Sequence, residues 1–289
     1  MEWTLYRDDS GFDALRDEWN DLLGRSRFDT IFLTYEWQST WWQHLGQGRG
    51  PLYILAGRDA GRLVAILPLY VQEQDGPALQ VVGCIEVSDY LDLIIEVGYE
   101  EEVFRGFLAW LAGPDAPAWD FVDLCNQPAA SLSHTVLPKL AEAAGFVAEV
   151  AQEDVSPILT LPRLEDHEDP RAENAWDAYL ASLDKKERHE IRRKLRRVER
   201  EAPGAAIRFV EPGSDLSAAV DAFITLHRNS RSDKHAFMTE EMQAYFRAIA
   251  GVLAERGWLQ LSFLEVEGQP VATYFCFDYR NDILVYNSG

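Results

Sequence analysis

The pattern Gly-x-x-Val-Ala occurs twice, at Gly61-Arg62-Leu63-Val64-Ala65 and at Gly268-Gln269-Pro270-Val271-Ala272, each time between two apolar stretches. A glycine between two such runs marks a hairpin, and the elements before each hairpin also correspond. Residues 2–6 alternate as a strand. Phe12, Leu15, Trp19, Leu22 and Leu23 have helical spacing, a second helix is predicted over 35–45, and strands near 52–57 and 62–71 flank the first glycine. In the second copy a strand is predicted at 206–211. Leu216, Val220, Phe223 and Leu226 mark one helix and Met242, Tyr245, Phe246 and Ile249 another, before strands near 258–266, 270–278 and 282–287. The copies then part. The first continues through an extended region at 79–97, a helix at 101–111, a strand at 119–125, a helix at 131–144 and closing strands at 146–150 and 157–161. After Ala272 only seventeen residues remain. The predicted class is mixed α+β in two tandem units, 1–161 and 176–289, the second apparently truncated after its fourth strand. A small complete lobe is the alternative.

Between the units, 162–175 is polar and acidic with Pro162 and Pro170, and reads as a linker. The chain is 47% hydrophobic with 14 Phe, 11 Tyr and 9 Trp, enough for two packed cores. A net charge of −21 disfavours nonspecific nucleic-acid binding. One segment inverts that charge. From Asp184 to Arg200 nine basic residues face four acidic ones, a net +5 that leaves −26 on the rest of the chain. Asp184 and Glu187 resemble a capping box opening this helix, and Pro203-Gly204 stops it. Ile191, Leu195 and Val198 fall on one stripe with Arg188 and Arg192 at its border. Two readings stand for that arginine pair: a fork for a carboxylate or phosphate, or an ion pair to a carboxylate at a domain interface.

Standard site motifs are missing: no G-x-S-x-G, H-E-x-x-H, phosphate loop or dinucleotide fingerprint occurs, and no metal site is predicted. Gln43-His44-Leu45-Gly46-Gln47-Gly48 fits Q-x-x-G-x-G, a pyrophosphate-binding pattern of acyltransferases. Here it closes a helix instead of opening one, so Gly46 is expected to be a helix cap. His227 and His235 have neither helix-face nor zinc spacing, and a surface or capping role is expected. Cys84, Cys125 and Cys276 form no C-x-x-C and are expected to be reduced core thiols. The N-terminal MEWTLYRDDS has no basic region before an apolar core, so no secretory signal is read, and the longest apolar run, 63–71, contains Pro68. A cytoplasmic protein without a membrane span is expected.

The element order of 2–161 is that of the GNAT superfamily of N-acetyltransferases. The chain resembles the tandem, CelD-type (cellulose-biosynthesis-like) bacterial acetyltransferases and, more distantly, the Fem-type peptidyltransferases. The resemblance rests on Phe32-Leu33-Thr34-Tyr35-Glu36-Trp37 with Trp41-Trp42, Ala65-Ile66-Leu67-Pro68-Leu69 and Asp89-Tyr90-Leu91-Asp92. In the second half it rests on Tyr179-Leu180-x-x-Leu183-x-Lys185-x-x-Arg188-x-x-Ile191-Arg192-Arg193, Leu226-His227-x-x-Ser230-Arg231, Gly268-x-Pro270-Val271-Ala272 and Tyr286-Asn287-Ser288-Gly289. It implies acyl transfer from acetyl-CoA or another acyl-CoA, a cosubstrate rather than a resident cofactor, to an amine or sugar. The donor is expected beside the fourth strand of the second unit.

On that footing Tyr286 and Tyr274 are candidate acids or hydrogen-bond donors to the leaving thiolate, with packing of a sheet as the other reading. Asp89 is a candidate base, Tyr90 and Asp92 acceptor-binding groups, Arg188 and Arg192 donor- or acceptor-binding groups, and Asn287 a carbonyl-orienting group. A simple turn is the other reading at 89–92, and a strand-end turn at Asn287. Trp37, Trp41 and Trp42 are expected in core and interface packing. The resemblance leaves two further functional readings open. One is a Fem-like transferase using aminoacyl-tRNA, the only reading with a nucleic-acid partner and one that involves no DNA. The other is a binding module that kept the fold without chemistry.

Overall fold

In the computed structural model, which describes residues 1–73, 76–84, 87–161 and 174–289, both glycine hairpins form and are built alike. Strands β2 (Leu52–Asp59) and β3 (Arg62–Glu73) meet at Ala60-Gly61, with φ of 46° and 82°. Strands β8 (Leu259–Val266) and β9 (Gln269–Tyr279) meet at Glu267-Gly268, with φ of 53° and 76°. Two successive positive φ angles make the two-residue turn whose twist matches paired strands, and glycine adopts such angles without a Cβ clash. Three residues beyond each glycine the ladder slips. Gly57 faces Ala65 while Arg58 faces Leu63, which bulges Val64; Leu264 faces Ala272 while Glu265 faces Pro270, which bulges Val271. The repeated pattern therefore encodes a hairpin followed by a β-bulge.

The first sheet runs β1-β2-β3-β4-β6, with β1 at Glu2–Tyr6, β4 at Pro77–Val81 and β6 at Phe121–Asp123; the short β5 (Ile94–Ile95) pairs with β3. Only β4 and β6 are parallel. The second sheet runs β10-β9-β8-β7, all antiparallel, with β7 at Ala206–Phe209 and β10 at Asp282–Ser288. Strands β7 to β10 thus repeat the order and sense of β1 to β4.

Helices α1 (Ser10–Leu23) and α2 (Tyr35–Trp41) precede the first hairpin. Thr34 caps α2 by accepting from the Trp37 N–H at 3.2 Å. A π-helical turn continues α2 to Gly46, where a Cβ would come within 2.4 Å of the Trp42 ring. Gly46 is therefore required by ring packing as the last helical residue, and the cap expected there falls to Gln47. After β5 come α3 (Glu100–Leu111) and, past β6, α4 (Leu132–Thr135) and α5 (Leu137–Ala143). The single helix predicted over 131–144 is thus split, with Pro138, which has no N–H to donate, opening the second piece. The closing strands predicted at 146–150 and 157–161 do not form. Val147, Val155 and Ile158 are exposed there, and no residue of 146–161 pairs into a described strand.

The predicted linker lies outside the described residues up to 173, and at its end Asn174 caps α6 (Ala175–Ser182). Helix α7 (Lys185–Glu201) starts at Asp184, whose Oδ1 accepts from the Glu187 N–H at 2.7 Å. Helices α8 (Leu216–Ser230), α9 (Ser232–Phe237) and α10 (Glu240–Glu255) precede the second hairpin.

Two apolar clusters form, but they do not divide by unit. The larger joins α1, α2 and one face of the first sheet to α8, α10 and the inner face of the second, through Trp19, Trp37, Phe223, Phe246, Phe275 and Phe277. The smaller lies on the other face of the first sheet under α3 and α5, around Leu67, Leu69, Phe104 and Phe107. Trp37 sits on the seam: its ring is 5.4 Å from Phe277 and 6.1 Å from Tyr245. Polar ties support this contact. Glu36, buried, pairs with Arg256, and Tyr279 donates to Asp29 at 2.5 Å.

Cys84 and Cys125 are disulfide-bonded, with Cα atoms 6.3 Å apart, so the expectation of three reduced thiols holds only for Cys276. A sequence separation of 41 hides the pairing in the sequence. It is the parallel β4–β6 contact that brings their ends together. No helix among the described residues is long and apolar enough to cross a membrane.

Candidate functional site

Strand β10 enters from a third tight hairpin, Arg280-Asn281, with φ of 54° and 66°. Its ladder with β9 then slips between Val285 and Asn287. A bulge sets two consecutive residues against one on the partner strand, so Tyr286 and Asn287 both reach the inner side of the second sheet. The Tyr286 ring lies 4.8 Å from Phe277, 5.7 Å from Trp37 and 6.1 Å from Phe32. Its hydroxyl crosses the seam and donates to the Val87 carbonyl at 2.7 Å.

The loop it meets is held from several sides. Trp37 Nε1 donates to Ser88 Oγ at 2.9 Å, Asn126 Nδ2 to the Ser88 carbonyl at 2.7 Å, and Thr30 Oγ1 to the Tyr90 carbonyl at 3.3 Å. Tyr90 itself has φ of 51°, a left-handed conformation uncommon for a bulky residue. Such strain persists only where the surroundings over-determine it, and it gathers at functional sites. Burial and then the nearby Asp154 charge push the Asp89 carboxyl above its usual value. Burial, and then the Asp89 charge, raise the Tyr286 hydroxyl well above its own. The structure therefore brings Asp89, Tyr90 and Tyr286 to one place, built by both units. A carboxylate of raised pKa is a better proton acceptor than an ordinary one. The Tyr286 proton is committed to Val87, so this phenol must give up that bond before it can act as an acid.

Asn287 belongs to a neighbouring cluster that the sequence reading did not assemble. Its Oδ1 is 3.2 Å from His227 Nε2. His227 is 1% exposed, which corrects the surface or capping role expected for it. The signal was present: Val220, Phe223 and His227 lie at i, i+3 and i+7, the core stripe of α8. Lys234 donates to the carbonyl of Ser288 and, at 3.2 Å, to its Oγ.

The remaining candidates lie elsewhere. Tyr274 is on the outer face of the second sheet and 54% exposed. Asp92 is buried, and its oxygens accept from Ser131 and Ser133 at 2.6 Å each and from the Leu93 N–H at 2.8 Å. Burial raises its pKa, the serine hydrogen bonds oppose the shift, and a cavity beside it is lined by Ser26, Arg27, Glu100 and Ser133. Arg188 and Arg192 lie on α7, which buries none of its residues. Glu190 and Glu201 pair with Arg193, Lys194, Arg197 and Arg200. Lys185, Arg188, Arg192 and Arg196, a contiguous row beside Ile191 and Leu195, have no acidic partner among the described residues.

Comparison with known proteins adds the following. Residues 185–289 match the family described as "Acetyltransferase (GNAT) domain". The structure of FemX is similar over 92% of this chain and 58% of its own, at 14% identity and a TM-score of 0.52. The chain thus spans a little over half of FemX, and the likeness is one of fold. A tandem GNAT protein from the clavulanic acid biosynthesis pathway aligns over 99% of this chain and 80% of its own, at 13% identity and a TM-score of 0.40. Glucosamine-6-phosphate N-acetyltransferase from Arabidopsis thaliana aligns over 54% of this chain and 99% of its own, at 11% identity and a TM-score of 0.31. No curated protein sequence matches the chain. The mixed α+β fold with two sheets is thus of the kind seen in FemX, and residues 185–289 are similar to the GNAT acetyltransferase domain family.

Proposed function

We propose that the chain is an acyltransferase that moves an acyl group, acetyl in our reading, from acyl-CoA to an amine, with an amino sugar or envelope polysaccharide precursor as the acceptor class. The observation that carries this is the GNAT domain over 185–289, whose last strand presents Tyr286 and Asn287 at a seam with the strained Asp89-Tyr90 loop. Transfer of this kind needs positioning and removal of a proton from the attacking amine. In this reading Asp89 takes that proton. Tyr90 contributes to the acceptor side, and Tyr286 holds the loop in register through Val87. Asn287 faces the donor carbonyl. Arg188 and Arg192, with Lys185 and Arg196, none of which has an acidic partner among the described residues, supply positive charge for the donor's phosphates.

That same basic row favours a second reading, transfer from an aminoacyl-tRNA, whose backbone is also phosphate. Isothermal titration of the chain with acetyl-CoA and, separately, with charged tRNA separates the two. Saturable acetyl-CoA binding that weakens in Arg188→Ala/Arg192→Ala supports the first, and binding of charged tRNA alone supports the second. Binding of neither ligand leaves the fold as a module without acyl transfer.

A further inference from the structure

The end of β10 is fixed from two sides. Lys234 holds Ser288, and Gly289 passes so close to α8 that a Cβ there would come within 2.5 Å of the His227 backbone nitrogen. Between these anchors His227 Nε2 meets Asn287 Oδ1. With the amide oxygen as acceptor, this pairing calls for the ring proton on Nε2 and the lone pair on Nδ1. Nδ1 is buried and has no hydrogen-bond partner. The ring is packed between Phe223 and Phe237, at 5.6 Å and 6.0 Å between centroids. Burial and then the Lys234 charge push the imidazole below its ordinary pKa, against weaker opposing pulls from the Asn287 hydrogen bond and from Asp233. An unpartnered buried nitrogen costs stability. The cost is understandable if the ring is there to hold the other end of the pair.

Fixing Oδ1 on His227 also fixes the far side of the amide. The Asn287 Nδ2 group makes no hydrogen bond among the described residues and is not buried, which leaves two N–H donors without a partner there at the strand end. We propose that His227 is a positioning residue that orients Asn287 so that its side-chain N–H group receives the acyl oxygen during transfer. This rests on the acyl-transfer reading. The amine lone pair adds to the thioester carbon, and the C=O π pair moves to oxygen, where Nδ2–H donates to the developing charge. Collapse reforms C=O and expels the coenzyme thiolate, while the amine proton goes to Asp89. A donor held in advance of reaction stabilises that charge without reorganising.

The test uses the full chain with acetyl-CoA as probe and water as the nucleophile, read as thiol release, together with 15N NMR of the histidine ring. The expected tautomer has the proton on Nε2. His227→Gln and Asn287→Ala should each slow thioester cleavage by about 100-fold, the loss seen when one oxyanion donor is removed. Acetyl-CoA affinity should stay within about 3-fold, because the contact forms in the transition state. The double variant should be no slower than Asn287→Ala alone, since the two residues act as one unit. A proton on Nδ1, or multiplying losses in the double variant, would overturn the proposal. If the wild-type chain binds and cleaves acetyl-CoA but His227→Gln matches it, the positioning role fails alone. If the wild-type chain binds no acetyl-CoA, the acyl-transfer reading fails with it. Should His227→Gln lower the melting temperature too far for comparison, Asn287→Ser at the partly buried end of the pair carries the same measurements.

Discussion

Val64 and Val271 hold the same place in the repeat, three residues past a hairpin glycine and at the bulge, yet Val64 is 0% exposed and Val271 is 50% exposed. The difference comes from what lies over each sheet. In the first, β5 pairs with β3 at Ala65 and Ile66, the Glu96 N–H donates to the Val64 carbonyl at 2.9 Å, and α3 and α5 cover the second face. In the second, α8 and α10 cover only the inner face, and Ile207, Phe209, Tyr274 and Val285 remain exposed on the outer one. Local sequence sets the hairpin and the bulge. Burial of the same residue type is set by distant chain. The comparison also explains why the candidate site is one-sided: the aromatic inner face of β9 and β10 is where the two units join.

The strongest test of this contrast pairs two adjacent residues on β9. Phe275 is fully buried, 4.9 Å from Phe223 and 5.5 Å from Phe246, so Phe275→Ala should lower unfolding free energy by about 3–5 kcal/mol. Urea denaturation measures it, and a loss below about 1 kcal/mol would show that the inner face is not the packed one.

A smaller effect is expected from the first sheet's crosslink. Cys125→Ser opens a disulfide that closes 41 residues and should cost about 2–4 kcal/mol, read as a lower Tm that reducing agent reproduces in the wild type. No change with reductant would remove the crosslink from the account of why that sheet is better held.

The seam is best probed through pH. Asp89 has a raised folded-state pKa, so the native protein holds the proton to higher pH than the unfolded chain. As pH rises from the ordinary carboxyl value through the raised one, the unfolded chain loses its proton first and stability falls. Asp89→Asn should flatten that part of the stability–pH curve and raise stability at pH 7. An unchanged slope in urea titrations across pH would exclude Asp89 as the titrating group. His227 has the opposite sign: its lowered pKa means stability is lost as pH falls from its ordinary value through the folded one. The smallest effect belongs to the outer face, where Tyr274→Ser should change unfolding free energy by less than about 0.5 kcal/mol. A cost comparable to that of Phe275→Ala would mean that this face is covered in solution.

Much of the frame was legible because it depends on short-range physics. The Gly61 and Gly268 hairpins, the Asp184 cap on α7 and the apolar stripes of α1, α8 and α10 all follow from residues within one or two turns of each other. The segment at 146–161 shows where such reasoning stops, since its apolar residues Val147, Val155 and Ile158 stay exposed and form no strand. His227 shows the opposite error: a polar residue on an apolar stripe was read by its type, when its position at i+7 from Val220 placed it inside.

The site divides along the same line. The polar break drew attention to Asp89 and Tyr90, the family resemblance pointed to Tyr286 and Asn287 on the last strand, and the charge pattern isolated α7. It could not show that a bulge turns Tyr286 and Asn287 to the same side, that Tyr286 reaches Val87 across 199 positions, or that Cys84 meets Cys125. Turn geometry, caps and helical stripes are determined by backbone sterics and side chains a few residues apart. Which groups face each other across a seam depends on how two sheets pack, and only the closed structure sets those distances.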